Sequence, residues 1–214
     1  MDNTTVILGI ALVGLLALYL LTYPFFRSAT KQTIYIPPKT VGRLRSSAKN
    51  SRGEVVVKLD YQPGTDLPTR TVVKKGKNDR VFPGFIHREE VVAHTHPRSH
   101  SQDPNVRAYE DVLRERPSFS DLVFSKSKEG PELLVTHSGR IIEFDAEEAN
   151  LGEIRGLEER AQVEAARVIP PTDPHSARRS ASLANAIFVR ESSRAGVRYR
   201  EFRGGEVKLR TKVK

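Results

Sequence analysis

One stretch of this chain is closed to most folds. Thr4 to Phe26 (TTVILGIALVGLLALYLLTYPFF) runs for 23 residues without a charged side chain. It has no polar face to show water, so it does not suit the surface of a small soluble domain. At the helical rise it spans roughly 34 Å, enough to cross the hydrocarbon of a bilayer. A cleaved leader would have a basic start, a shorter apolar core and small residues at its cleavage site. Here only Asp2 is charged before the run, which closes on Tyr23-Pro24-Phe25-Phe26, so a retained anchor over residues 1–26 is expected. Tyr19, Tyr23, Phe25 and Phe26 gather towards its far end, as aromatic side chains do at a membrane interface. Every Lys and Arg lies C-terminal to it, starting with Arg27 and Lys31. The positive-inside rule then expects a single-pass membrane protein with its C-terminal part in the cytosol.

The rest of the 214 residues is polar and of mixed charge, with room for one ordinary domain. Residues 27–52 are basic, contain Pro37-Pro38 and read as a linker. Strands are expected at Glu54–Tyr61, Thr69–Lys75, Val81–Ile86 and Glu90–His96, the last an apolar run buried on both faces and stopped by Pro97. Asp103-Pro104 is a capping residue followed by proline in the first turn, and opens a helix over 104–116. Pro117 ends it, and Ser118 caps a second helix to about Lys126. A hairpin follows around Ser138-Gly139, then helices over 147–168 and 181–194, and strands over 197–202 and 207–212. The expectation is an α/β domain over 53–203, a mixed β-sheet flanked by helices, with residues 204–214 as a basic strand or tail.

Cysteine is absent, which excludes disulfides, thiolate metal sites and cysteine nucleophiles together. A metal must then be held by His, Asp or Glu. The net charge of +9 is concentrated late: residues 176–214 carry eleven bases against Glu191, Glu201 and Glu206. With aromatics sparse and no binding motif, this basic surface suits anionic lipid better than specific nucleic acid.

The chemistry centres on His94-Thr-His96. On a strand, residues i and i+2 point to the same face, so both imidazoles can meet one zinc ion. Asp121 is the candidate oxygen ligand. It stands one turn into the helix that Ser118 would cap, so the two share a face. Two His and one carboxylate leave a fourth zinc position for water. An unligated glutamate is then needed to move the proton.

At these residues the sequence resembles the JAMM (MPN-type, JAB-like) zinc metallopeptidases. His94-Thr-His96-Pro97 followed by Pro117-Ser118-Phe-Ser-Asp121 is similar to the family's His-x-His-Pro and Ser-x-x-Asp elements, and Ile86–Val91 resembles the bacterial RadC-like branch. The resemblance spans residues 52–145. It implies a JAB/MPN-like fold, zinc on His94, His96 and Asp121, a general base at Glu54 on an early strand, and Ser118 holding the water or the tetrahedral intermediate. Glu89 and Glu90 remain alternatives for the base. The implied activity is hydrolysis of a peptide or isopeptide bond in a protein substrate, with ubiquitin-like conjugates as candidates. The family includes metal-free members, so a membrane-tethered scaffold is the alternative. The departure is in spacing: 21 residues separate His96 from Ser118, more than the family pattern holds, and the extra length is expected to be the inserted helix 104–116, beside the metal.

Overall fold

A computed structural model describes residues 30–50, 53–61, 64–76, 90–128, 130–203 and 207–213. The apolar run 4–26 and the expected strand 81–86 lie outside these residues. Among the described residues, no helix is long and apolar enough to cross a membrane.

The chain is an α/β structure built on a six-stranded mixed sheet. Its strands are β2 (Val55–Asp60), β3 (Arg70–Lys75), β4 (Glu90–His96), β5 (Glu132–Thr136), β6 (Ile141–Asp145) and β7 (Arg198–Phe202), in the order β3-β2-β4-β5-β6-β7. Only β4 and β5 run parallel. A parallel pair needs a crossover, and the one here carries α2 (Pro104–Leu113) and α3 (Phe119–Lys128). Asp103 accepts from the Asn105 and Val106 amides and so starts α2, with Pro104 in its first turn.

Alternation along the strands divides the core in two. Val55, Val57, Leu59, Val91, Ala93, Leu133, Val135 and Ile141 face one side. Leu134, Ile142 and Phe144 face the other, under Leu122, Ala161, Ala184 and Phe188. That second side is covered by α3, α4 (Leu151–Ile154), α5 (Leu157–Val168) and α6 (Pro174–Arg194).

The first side is covered by segments that the sequence pattern assigned elsewhere. Residues 30–50 are not merely a linker, and the strand expected over 207–212 forms. Thr30–Ile36 forms β1, Pro38–Asn50 forms α1, and Val207–Val213 forms β8, which pairs antiparallel with β1 in a separate two-stranded ribbon. The cause is visible in the apolar spacing. Val41, Leu44 and Ala48 recur on one helical face, and Ile34, Ile36, Val207 and Leu209 alternate along the ribbon; all are at most 3 % exposed. The folded unit therefore extends beyond 53–203 at both ends.

Two helical boundaries also differ from expectation. The helix expected over 147–168 is broken at Gly156, whose φ of 71° is left-handed and separates α4 from α5. The helix expected from Ala181 starts at Pro174, because Asp173 and Ser176 form a reciprocal capping box.

Candidate metal centre

The strand β4 ends on His94 and His96, both at most 7 % exposed and on the α3 side of the sheet. The helix α3 starts above them. Ser118 and Asp121 cap it reciprocally: the Asp121 carboxylate accepts from the Ser118 amide at 2.7 Å, and the Ser118 hydroxyl accepts from the Asp121 amide at 3.2 Å. This cap fixes the Asp121 rotamer and turns its carboxylate down towards the strand.

The three side chains come together. His94 Nε2 lies 3.4 Å from Asp121 Oδ1, and His96 Nε2 lies 3.4 Å from Asp121 Oδ2. One ligand atom from each of the three lies within 4.8 Å of the others. Two atoms bound at about 2.05 Å to one tetrahedral zinc would stand about 3.3 Å apart. The observed separations match that figure and exceed a good N–H···O bond. His94 Nε2 is buried and has no hydrogen-bond partner.

The tautomer of His96 can be read from its other nitrogen. Nδ1 lies 3.1 Å from the Arg114 carbonyl oxygen, which can only accept. Nδ1 therefore carries a hydrogen, and Nε2 is the nitrogen turned to the Asp121 carboxylate, where it can meet a metal ion or a second proton. Arg114 caps the C-terminus of α2, so this helix supplies the acceptor. The rest of α2 turns away from the candidate ligands and packs on α6, where Asn185 donates to the Val112 carbonyl at 2.6 Å.

A fourth group was not anticipated from sequence. Glu132, the first residue of β5, is fully buried, and its Oε2 lies 3.8 Å from His94 Nδ1. Neither of its oxygens receives a hydrogen bond. The signal was a single acid opening an otherwise apolar strand, Glu132-Leu-Leu-Val. Burial pushes its pKa up to about 7, against the pull of Lys128 and His94. For His94, burial works downward, but the Asp121 carboxylate, with Glu132 and Glu54, outweighs it and the pKa is pushed up to about 9. Burial would likewise raise Asp121, yet the two imidazoles hold it well below the usual carboxylate range.

Glu54 precedes β2. Val56 stands opposite His94, so Glu54, two positions earlier on the same pleat, comes level with His96. Its charge is felt at His94. Glu90 stands opposite Asp60, four residues before His94 and so about 13 Å along the strand. Glu89 lies outside the described residues. Ser118 also donates to Asp121 Oδ2 at 2.8 Å and lies 2.7 Å from the Ser120 hydroxyl.

Beyond the cluster, Glu115, Arg116 and Pro117 form one wall of an open cleft of about 460 Å³, lined also by Ile142, Asn185 and Tyr199. None of the three candidate ligands lines it, but its wall runs directly into Ser118. Compared with protein-family models, curated protein sequences and solved structures, the chain matches none.

Proposed function

We propose that the protein is a membrane-anchored, zinc-dependent hydrolase of the JAMM type that cleaves a peptide or isopeptide bond. The observation that carries this reading is the buried convergence of His94 Nε2, His96 Nε2 and the Asp121 carboxylate, at separations too long for good hydrogen bonds. The donor set, two imidazoles and one carboxylate, is that of catalytic zinc. When bound, zinc supplies a Lewis acid that brings the pKa of a coordinated water towards 7.

The chain's own residues would do the rest. The Arg114 carbonyl accepts from His96 Nδ1, and Glu132 Oε2 stands 3.8 Å from His94 Nδ1, which leaves Nε2 of both rings towards the same point. Glu54, level with His96, would accept the water proton and pass it to the leaving amine. Ser118 sits one hydrogen bond from the Asp121 carboxylate, in reach of a tetrahedral oxygen. The cleft beside Pro117 gives room for a substrate side chain. In this reading Thr4–Phe26 is the anchor, the domain is cytosolic and its fold is of the JAB/MPN kind.

The test is direct. The full chain, purified in detergent with zinc present, is expected to retain one zinc per chain, and His96→Ala none. Hydrolysis of a peptide or ubiquitin-like conjugate library should be lost in Glu54→Gln while zinc is retained. A wild-type chain that retains no zinc overturns the enzyme reading. Zinc without hydrolysis of any member leaves the scaffold reading.

A further inference from the structure

The six-stranded sheet separates a surface of mixed charge from one whose covering elements are free of acids. The candidate metal centre lies on one side. The other side is covered by β1, α1 and β8, and these elements hold no Asp or Glu at all. The helix α1 carries Lys39, Arg43, Arg45 and Lys49. The ribbon adds Lys208, exposed between the buried Val207 and Leu209 on β8. Lys39, Arg43, Lys49, Thr33 and Lys208 are exposed, while Val41, Leu44 and Ala48 of α1 and Ile34, Ile36, Val207 and Leu209 of the ribbon are buried in the core.

The few acids near this side do not cancel it. Glu143 and Asp145, on the same face of the sheet, are matched by Arg200 at 3.7 Å and Arg198 at 2.6 Å. Asp66 borders the ribbon, where its carbonyl accepts from Tyr35. The layer also has a single aromatic residue, Tyr35, which leaves little for stacking bases.

Position in the chain identifies the occupant. Phe26 ends the uncharged run and Thr30 begins β1, so at most about 14 Å of chain lies between them. We propose that the β1–α1–β8 layer lies against the headgroups of an anionic bilayer, which turns the His94–His96–Asp121 cluster away from the membrane. This rests on the anchor reading of residues 4–26 and is independent of the hydrolase reading. Basic side chains next to an anchor are attracted by anionic lipid over about one Debye length, and an acid-free layer of this kind meets no opposing charge there.

The chain has no cysteine, so single-cysteine probes are unambiguous. Thr33→Cys reports on the basic layer, and Val163→Cys, exposed on α5, reports on the opposite side. Each full-length variant is labelled with an environment-sensitive dye and reconstituted into vesicles containing a headgroup-level quencher. The vesicles are phosphatidylcholine alone, or with about 30 mol% phosphatidylserine. Quenching at Thr33→Cys is expected to rise about threefold with phosphatidylserine and to fall back at about 0.5 M salt. Val163→Cys should stay unquenched in both. Adding Lys39→Glu, Arg43→Glu and Lys49→Glu should abolish the phosphatidylserine dependence while the circular-dichroism spectrum and thermal midpoint, which report the fold, are kept. Equal quenching at Thr33→Cys in both lipids, or stronger quenching at Val163→Cys, overturns the proposal. So does a chain that alkaline washing strips from the vesicles, since that removes the anchor. Binding of a short DNA duplex that phosphatidylserine vesicles cannot displace would assign the layer to nucleic acid instead, and also overturns it.

Discussion

If zinc binds His94 Nε2, it must displace the proton that Asp121, Glu132 and Glu54 hold there. The size of that competition follows from the site. With the His94 pKa at about 9, a solution at pH 7 lies two pH units below it, and the imidazole is protonated in about 99 of 100 metal-free molecules. The apparent zinc affinity at pH 7 is therefore about 100-fold weaker than its high-pH limit, equivalent to about 2.7 kcal/mol. From about pH 7 to about pH 8.5, the affinity should rise about tenfold per pH unit, with about one proton released per zinc from His94. Competition against a chromophoric chelator, corrected for the chelator's own protonation, measures the slope. Titration calorimetry in buffers of different ionisation enthalpy counts the proton. An affinity that is flat across this window, or zinc uptake without proton release, would refute the placement of His94 as a ligand facing the Asp121 carboxylate.

Other outcomes follow from the same coordinates. In the metal-free protein, the raised His94 pKa contributes stability that is complete below the unfolded value of about 6.5 and is lost as pH rises through about 9; urea unfolding should show a loss of up to about 3 kcal/mol across that window. Glu132→Gln should keep the fold by circular dichroism yet weaken zinc binding about 10- to 100-fold, because it removes the carboxylate facing His94 Nδ1. Phe144→Ala should cost about 3–5 kcal/mol in thermal or urea unfolding, since the ring is fully buried and stands edge-on to His94 at 6.0 Å. Asp173→Ala removes the capping box of α6 and should cost about 1 kcal/mol.

The parts of this fold that were legible in sequence are those with local causes. Val-Val-Ala before His94 marked a buried strand, Asp103-Pro104 a helix start, and Ser138-Gly139 a hairpin, and each stands where it was expected. The shared face of His94 and His96 was legible from strand periodicity and that of Ser118 and Asp121 from helix periodicity, while their joining into one cluster rested on the family resemblance. Partners far apart in sequence were hidden. Ile34 and Ile36 are only two apolar residues in a basic stretch, and nothing local shows that Val207 and Leu209 will lie opposite. Glu132 was overlooked for a related reason: its neighbour His94 reaches it through the parallel β4–β5 register, which depends on the intervening crossover. The break at Gly156 had a local cue that an acidic helical pattern outweighed, and the start of α6 repeated at Asp173-Pro174 the same signature read correctly at Asp103-Pro104.

The β1–β8 ribbon also sets how the domain closes and how it opens. Its register puts Thr30 opposite Val213, 183 positions later. Chain entropy makes that closure about 3 kcal/mol costlier than the turn that brings Val135 to Ile141, only six positions on. The ribbon is thus a late clasp, made after the intervening sheet has drawn its two ends together. Because Thr30 and Val213 sit at the same end of an antiparallel ladder, a pull along the chain through these two residues meets its rungs one at a time. Tension arriving from the segment before Thr30 would unfasten the clasp in sequence, Thr30 from Val213 first and Ile36 from Val207 last, well before it loaded the strands that carry the histidines.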